Sequence, residues 1–227
     1  MIRPQARYAR EPNISLRQVF MLWIEERPPR VMLLHLAAWI AFRIYLALQG
    51  DYSWWDLAPL AAVLVIHPFV EWIIHVVVLH HRPRKVLGFK WDYNSARFHR
   101  LHHRDPWDLR FVVAPLSLVV TGSLLGMVVY WPLAPSLGVW ASAMIVTAAV
   151  TTFYEWIHFL IHTSYRPQSR LYKRWWRLHR LHHYKNENYW LGVTRHFGDV
   201  VFGTMREPDE VETSKTARTL GLDEEPA

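Results

Sequence analysis

Histidines in two nearly identical clusters are the residues of this sequence best suited to chemistry. Residues 97–103 read RFHRLHH and residues 177–183 read RLHRLHH, so the core HRLHH occurs twice. On a helix, positions i, i+3 and i+4 share a face, so each copy would present three imidazoles together. Neutral imidazole is a good ligand for Zn, Cu, Fe and Ni. The repeated pattern therefore predicts a metal site.

A carboxylate and two further histidines precede each copy. On a helix, His158 and His162 share a face, with Glu155 one turn earlier. His75 and His80 are five residues apart, which places them about 140° apart on an ideal α-helix. Either the helix distorts or ends there, or the two histidines face different metals, and the sequence leaves both alternatives open.

A dinuclear site is expected, because ten histidines exceed the coordination shell of one ion and suit two. The chain has no cysteine, so thiolate ligands are excluded. Since a ligating histidine usually gives its second N–H to a carboxylate or carbonyl, we expect orienting roles for Glu71 and Glu155, with Asn188 as a further candidate. The predicted ligands are His75, His80, His99, His102, His103, His158, His162, His179, His182 and His183.

The four remaining histidines are treated separately. His35 and His67 lie in apolar stretches and are interpreted as core residues, although a polar group near the middle of a membrane span can be functional. His81 is the alternative to its neighbour His80, which we prefer as the ligand. The role of His196 stays open.

Four apolar stretches must position these residues. Each reaches the roughly 20 residues that span a bilayer, which predicts an all-α integral membrane protein. Contact of the basic residues with anionic lipid headgroups explains the net charge of +7, so no nucleic-acid partner is expected. The predicted spans are Val31–Leu48, Leu57–Leu79, Phe111–Trp131 and Leu137–Ile161.

The basic residues predict the orientation of the spans. Apart from Arg43, all Lys and Arg lie in residues 1–30, 80–110 and 163–227, and the short connections at 50–56 and 132–136 carry none. The positive-inside rule then places both termini and the middle loop in the cytoplasm. The expected fold is two helical hairpins with a cytoplasmic helical cap that holds the dinuclear site.

Three regions follow from this layout. Residues 1–30 form a basic cytoplasmic N-terminal segment without the apolar region of a signal peptide. Residues 31–205 form the four-span domain with its histidine-rich cap. Residues 206–227 form an acidic tail that is expected to be solvated and flexible. The membrane would be the bacterial inner membrane or the endoplasmic reticulum.

The order of the histidine motifs resembles the fatty acid hydroxylase/sterol desaturase superfamily of integral membrane di-metal oxygenases. The motifs HX4H, HX2HH, HX3H and HX2HH occur in that order, and the resemblance covers about 57–204. Asn188-Tyr189 and the segment 198–204 (GDVVFGT) resemble the family's "NYG … WD-x-x-FGT" ending. Trp190 stands where a Gly is common, and Gly198 stands where a Trp is common.

This resemblance implies a di-iron centre that activates O₂ and removes hydrogen from an unactivated C–H bond of a lipid, with zinc able to replace iron during purification. It also implies an external electron donor, such as cytochrome b5, a ferredoxin or a similar carrier. The expected enzyme is a lipid hydroxylase. The alternatives are a lipid desaturase with the same site and a non-enzymatic metal transporter or store. Because transporters place ligands near the bilayer midplane, clusters at one membrane face favour the enzyme.

Overall fold

The structure is a computed structural model that describes residues 9–221, apart from the side chains of Val86 and Lys90. The described residues are mostly helical, with one short antiparallel hairpin that pairs Arg84 with Trp91. The helices are α1 (Leu16–Glu25), α2 (Arg27–Leu48), α3 (Ala58–Ile73), α4 (Asn94–Arg104), α5 (Leu109–Val112), α6 (Leu116–Tyr130), α7 (Leu137–Ile161), α8 (Arg170–Tyr184) and α9 (Phe197–Val201), and the strands are β1 (Arg84–Val86) and β2 (Phe89–Trp91).

Four helical stretches are long and apolar enough to cross a membrane, in agreement with the predicted spans. Only 11% to 39% of each apolar window is buried within the protein, so most of these surfaces require a hydrocarbon environment. The third span is interrupted after α5, where Pro115 lacks the N–H that a continuous helix would use. The four stretches are Arg27–Leu48, Trp54–Leu79, Leu109–Leu133 and Leu137–Ile161.

Arg43, the one charge within the predicted first span Val31–Leu48, is fully paired. Its guanidinium donates to Asp56 at 2.7 Å, to Ser142 Oγ at 3.1 Å and to the Asp51 carbonyl at 2.9 Å. An unpaired cation in hydrocarbon is costly, whereas this network satisfies the charge while joining α2 to α7. The contacts between α2 and α7 are the most extensive between any two helices of the described chain.

Capping side chains set the helix starts. Ser15 and Gln18 form a reciprocal capping box at α1, Ser136 caps α7, and Ser169 caps α8. Helices α4 and α8, which carry the two HRLHH copies, lie beyond the ends of the spans, so their histidines can face the ends of α3 and α7.

The C-terminal segment departs from the expected flexible tail. Val211, Ala217 and Leu220 are buried, and Arg218 donates to the backbone carbonyls of His103 and Arg104. Residues 206–221 therefore pack on the histidine-rich region, because their few apolar side chains find a surface that the sequence pattern does not reveal. The acidic residues of 222–227 lie outside the described part of the chain.

Candidate metal centre

His75 and His80 face the same site because the helix widens between them. The backbone at Ile74–Leu79 is π-helical, and the His80 N–H donates to the His75 carbonyl at 2.9 Å. A π-turn brings positions i and i+5 together, which removes the offset of an ideal α-helix. The two ring centroids are 4.7 Å apart. Of the two alternatives left open by the sequence, the structure thus contains the distorted helix.

The ten predicted histidines gather into two groups of five. Within each group, the candidate ligand nitrogens all lie within 4.8 Å of one another. The groups adjoin, since the rings of His103 and His183 are 4.1 Å apart across the boundary. Group 1 is His75, His80, His99, His103 and His182, and group 2 is His102, His158, His162, His179 and His183.

The middle histidine of each HRLHH copy crosses to the other group. His102 belongs to group 2, although His99 and His103 on the same helix α4 belong to group 1. Its ring lies 4.4 Å from that of His162. His182 leaves its neighbours on α8 and joins group 1, where its Nε2 lies 3.2 Å from Nε2 of His103. Both groups therefore need both halves of the chain.

The hydrogen bonds on Nδ1 determine what the facing nitrogens of group 1 can do. His103 Nδ1 contacts the Ala217 carbonyl at 2.9 Å, and His182 Nδ1 contacts the Tyr189 carbonyl at 2.9 Å. A carbonyl accepts only, so both Nδ1 atoms carry the proton and both Nε2 atoms present lone pairs. Two lone pairs 3.2 Å apart repel each other, and a cation between them removes the repulsion. Two imidazole nitrogens bound at right angles to one ion would be about 3 Å apart.

Burial keeps these imidazoles neutral. It lowers the pKa of His103 and of His182 to about 3, against weaker opposing hydrogen bonds from their carbonyl partners. It also lowers the pKa of His99, His102 and His183, together with repulsion from neighbouring histidines. Among the described residues, both nitrogens of His102 are buried without a hydrogen-bond partner. Neutral rings with free lone pairs suit transition-metal ions.

Two carboxylates hold the loop that orients His75. His75 Nδ1 contacts the Leu191 carbonyl at 2.6 Å. Asp199 accepts the N–H groups of Leu191 and Gly192, each at 2.8 Å. Glu71 accepts the next two N–H groups, those of Val193 and Thr194. The carboxylate of Glu71, for which an orienting role is expected, thus faces backbone donors of this loop and not a group 1 ring.

The other two predicted orienting residues have different positions. Glu155 accepts the Ala114 N–H at 2.8 Å, which satisfies the backbone at the break in the third span. Asn188 is exposed, and its amide donates to Asn186 at 3.1 Å. His81 lies outside both groups, with its ring 4.6 Å from that of Tyr93.

Asp199 is a buried carboxylate beside group 1 that the sequence analysis did not single out as a site residue. It is fully buried and also accepts the Thr204 hydroxyl at 2.6 Å, and His196 Nδ1 lies 3.4 Å from it. Burial raises the pKa of Asp199, but these hydrogen bonds outweigh that effect and hold the pKa below its usual value. A carboxylate within the apolar run FGDVV is a signal that could have been read. His196, whose role the sequence leaves open, is a neighbour of Asp199.

The structure explains Trp190 and Gly198, the two residues at which the chain departs from the family motif. Trp190 has φ +54°, the left-handed conformation that glycine favours, and its buried ring donates Nε1–H to the Arg206 carbonyl at 2.9 Å. Gly198 approaches α3 so closely that a Cβ would lie 2.7 Å from the Pro68 carbonyl oxygen. No side chain fits at this contact.

Replacing Gly198 by alanine is therefore expected to destabilise the protein by about 1–3 kcal/mol, because the added methyl group meets rigid backbone. The matched control is Gly122→Ala in α6, where a Cβ meets nothing within 4 Å and the helix gains about 0.5–1 kcal/mol. Thermal unfolding of the detergent-solubilised variants measures both. A Gly198→Ala midpoint at or above that of the parent would show that the contact is looser than described.

Comparisons with known proteins agree with the motif order. The family model described as fatty acid hydroxylase matches residues 60–204. The chain is 24% identical over 157 residues to dihydroceramide fatty acyl 2-hydroxylase FAH1 of Arabidopsis thaliana, and 25% identical over 153 residues to FAH2 of the same plant. These alignments cover 66% and 65% of this chain, and 62% of each relative's length.

A solved structure of full-length scs7p, in which only the hydroxylase domain is visible, has the same fold. The TM-score is 0.61 at 24% sequence identity, over 89% of this chain and 70% of that one. The resemblance inferred from the histidine motifs is thus confirmed at the level of the family. Since the family model matches well over half of its length, this chain belongs to the fatty acid hydroxylase family.

Proposed function

We propose that the protein is a membrane lipid hydroxylase with a di-iron centre formed by the ten histidines. This proposal is supported by the convergence of ten imidazoles into two adjoining groups of five, of which nine are buried and His80 is half-buried. Five imidazoles around each ion would hold it and would leave room for an exchangeable ligand. The chemistry that such a centre supplies when loaded with iron is the activation of O₂ towards an unactivated C–H bond.

The protein's own residues prepare this centre. Burial lowers the pKa of His103 and His182, so that protons do not compete with metal ions there. The carbonyls of Leu191, Tyr189 and Ala217 fix three rings through Nδ1. Glu71 and Asp199 hold the segment that supplies the Leu191 carbonyl. Each of these contacts sets a ring orientation before metal binds, which lowers the cost of assembling the site.

The position of the groups favours a fatty acyl lipid as the substrate. The histidines lie at one end of α3 and α7, not at their middle, so the reacting carbon must lie near the polar end of a lipid. Carbon 2 of an acyl chain adjoins the carbonyl and fits that depth. Both Arabidopsis relatives are named dihydroceramide fatty acyl 2-hydroxylases, which supports the same class of substrate. The same depth argues against a transporter, whose ligands lie near the midplane.

Comparative lipid mass spectrometry tests this proposal. Membranes that contain the protein should hold an acyl lipid that has gained one oxygen atom, and membranes that contain the His102→Ala variant should lack it. Growth under ¹⁸O₂ should place the heavy isotope in that product. A product that has instead lost two hydrogen atoms would indicate a desaturase, and an unchanged lipid profile would contradict an enzymatic role.

We further propose that the spans form two hairpins with the histidine-rich cap and both termini in the cytoplasm, in a bacterial inner membrane or the endoplasmic reticulum. The distribution of Lys and Arg supports this orientation. The basic face would also receive an external electron donor such as cytochrome b5 or a ferredoxin, because acidic carriers are attracted to basic surfaces.

A reporter fused after Ala227 is expected to be active in the cytoplasm. Its matched control is the same reporter inserted in the short connection at 50–56, which should give the opposite signal. A periplasmic or luminal signal from the C-terminal fusion would overturn the orientation.

A further inference from the structure

A groove on the side of α7 that faces away from the histidines has no role in the proposed reaction. It has a volume of about 590 Å³, and its walls come from α1, α2 and α7. Ala149, Thr152, Phe153 and Trp156 form the α7 wall at helical spacings of three and four. His158 lies roughly opposite to that face, since residues on an α-helix are 100° apart. The groove is therefore separate from the metal centre.

An internal sequence repeat suggests that another group packs over the α7 wall of the groove. The pattern F-x-E-W-I occurs at 69–73 in α3 and at 153–157 in α7. In the first copy, α9 covers this face: Phe197 stacks edge-on against Phe69 at 5.4 Å, and Phe202 lies 4.2 Å from Trp72. Gly198 allows this close approach to α3.

In the second copy, the cover is incomplete. At one end, Phe20 and Trp23 of α1 lie 5.7 and 5.4 Å from the Trp156 ring, and at the other, Trp175 of α8 lies 5.9 Å from the Phe153 ring. Phe153 remains 47% exposed, whereas its counterpart Phe69 in α3 is half-buried. The opposite wall is formed by Leu33 and Leu36 of α2.

The apolar helices and the charged residue that line the groove indicate which kind of molecule packs over its α7 wall. Both α2 and α7 are long and apolar enough to span a membrane, which would place hydrocarbon beside the groove. Arg17 of α1 is the one charged residue of the lining, and it is exposed. An apolar slot beside a cation is complementary to an acyl chain attached to a phosphate.

We propose that this groove binds one acyl chain of an anionic phospholipid, with the phosphate on Arg17. The lipid fills the position on the second half that α9 fills on the first, and it holds α1 against α2 and α7. It is a bound structural lipid and not the substrate, because the face of α7 that it covers points away from the histidines. The inference does not rest on the proposed reaction.

Photocrosslinking of the full-length protein tests this site. The probe is phosphatidylglycerol with a diazirine in its acyl chain, in phosphatidylcholine vesicles, and peptide mass spectrometry locates the adducts. Adducts are expected on the peptides that contain Phe20 and Phe153. Ala149→Phe fills the groove from α7 and should lower the yield at least tenfold, and Leu36→Trp should do the same from α2.

The matched control is Val128→Phe, which adds a similar side chain at a position of α6 that is 70% exposed and lines no part of the groove. It should leave the yield unchanged. Arg17→Gln should lower the preference for phosphatidylglycerol over phosphatidylcholine about fivefold, and Arg17→Lys should retain it. Equal yields in the parent and in both filling variants would overturn the proposal.

A second copy of the chain is the competing occupant. Because the sequence has no cysteine, Phe153→Cys creates a single thiol in the groove. Bound lipid should keep this thiol from forming a disulfide between chains. Efficient disulfide-linked dimers at low protein density would show that another copy covers the groove, and would overturn the lipid assignment.

Discussion

Replacing His102 or His182 by alanine is expected to reduce lipid hydroxylation by more than about 100-fold, while the chain still inserts in the membrane. Each is the histidine that crosses from its own HRLHH copy to the other group. Its loss removes one of five donors from one group and also one contact between the halves of the chain. We expect both variants to be equally inactive, because the proposed reaction needs both groups.

The measurement is the amount of oxygenated lipid in membranes that hold equal amounts of parent and variant. His35→Ala is the matched control, since His35 accepts the indole N–H of Trp39 on its own helix and belongs to neither group. It should retain nearly full activity. Parent-level product in either the His102→Ala or the His182→Ala membranes would remove that residue from the ligand set.

The second large effect is expected for Asp199→Asn. The carboxylate accepts two backbone N–H groups and one hydroxyl, and an amide of the same shape must turn its own N–H groups towards one of these donors. Hydrogen bonds to a charged acceptor contribute about 1.5–3 kcal/mol each. The loop at 191–192 should then loosen, and the Leu191 carbonyl should no longer fix His75.

This variant separates a positioning role from a merely structural one. We expect the metal affinity of group 1 to fall about 10–100-fold, while group 2 keeps its ion, so that the purified variant holds about one ion per chain. Asp209→Asn, an exposed carboxylate of the C-terminal segment, is the control and should hold as much metal as the parent. Equal metal content and equal unfolding midpoints in Asp199→Asn and the parent would show that the loop does not depend on this charge.

Much of the fold could be predicted because the membrane imposes simple rules. A span needs about 20 apolar residues, and the four predicted stretches agree with the helices to within a few residues at most ends. The break at Pro115 was not predicted, although proline in an apolar run signals it. The packed segment 206–221 was not predicted either, because its composition is that of a solvated tail and only tertiary contacts bury Ala217.

The candidate site was predictable in its members but not in their arrangement. The spacing of the ten histidines predicts that they cluster, since i, i+3 and i+4 positions share a helical face. The assignment of His102 and His182 to opposite groups depends on how α4 and α8 face each other, which no local pattern contains. The π-helix before His80 likewise depends on long-range packing of the histidines and not on the local helix propensity of its residues.

Backbone carbonyls explain why the hydrogen-bond partners of the histidine rings were not predicted. The sequence suggested carboxylates as direct partners of the rings, whereas Leu191, Tyr189 and Ala217 act through their carbonyls. Any residue type can supply a carbonyl, so these partners leave no trace in composition or spacing. The acids Glu71 and Asp199 lie one step further out, where they hold the N–H groups of the segment that carries one of those carbonyls.

Elemental analysis of the purified full-length protein is the most direct test of the central claim, which is that two groups of five histidines each hold one metal ion. We expect two transition-metal ions per chain, as iron or as zinc that has replaced it, and about one ion per chain after a substitution that disables a single group. A parent protein that contains no metal, or only one ion per chain under conditions that keep it folded, would contradict the dinuclear centre.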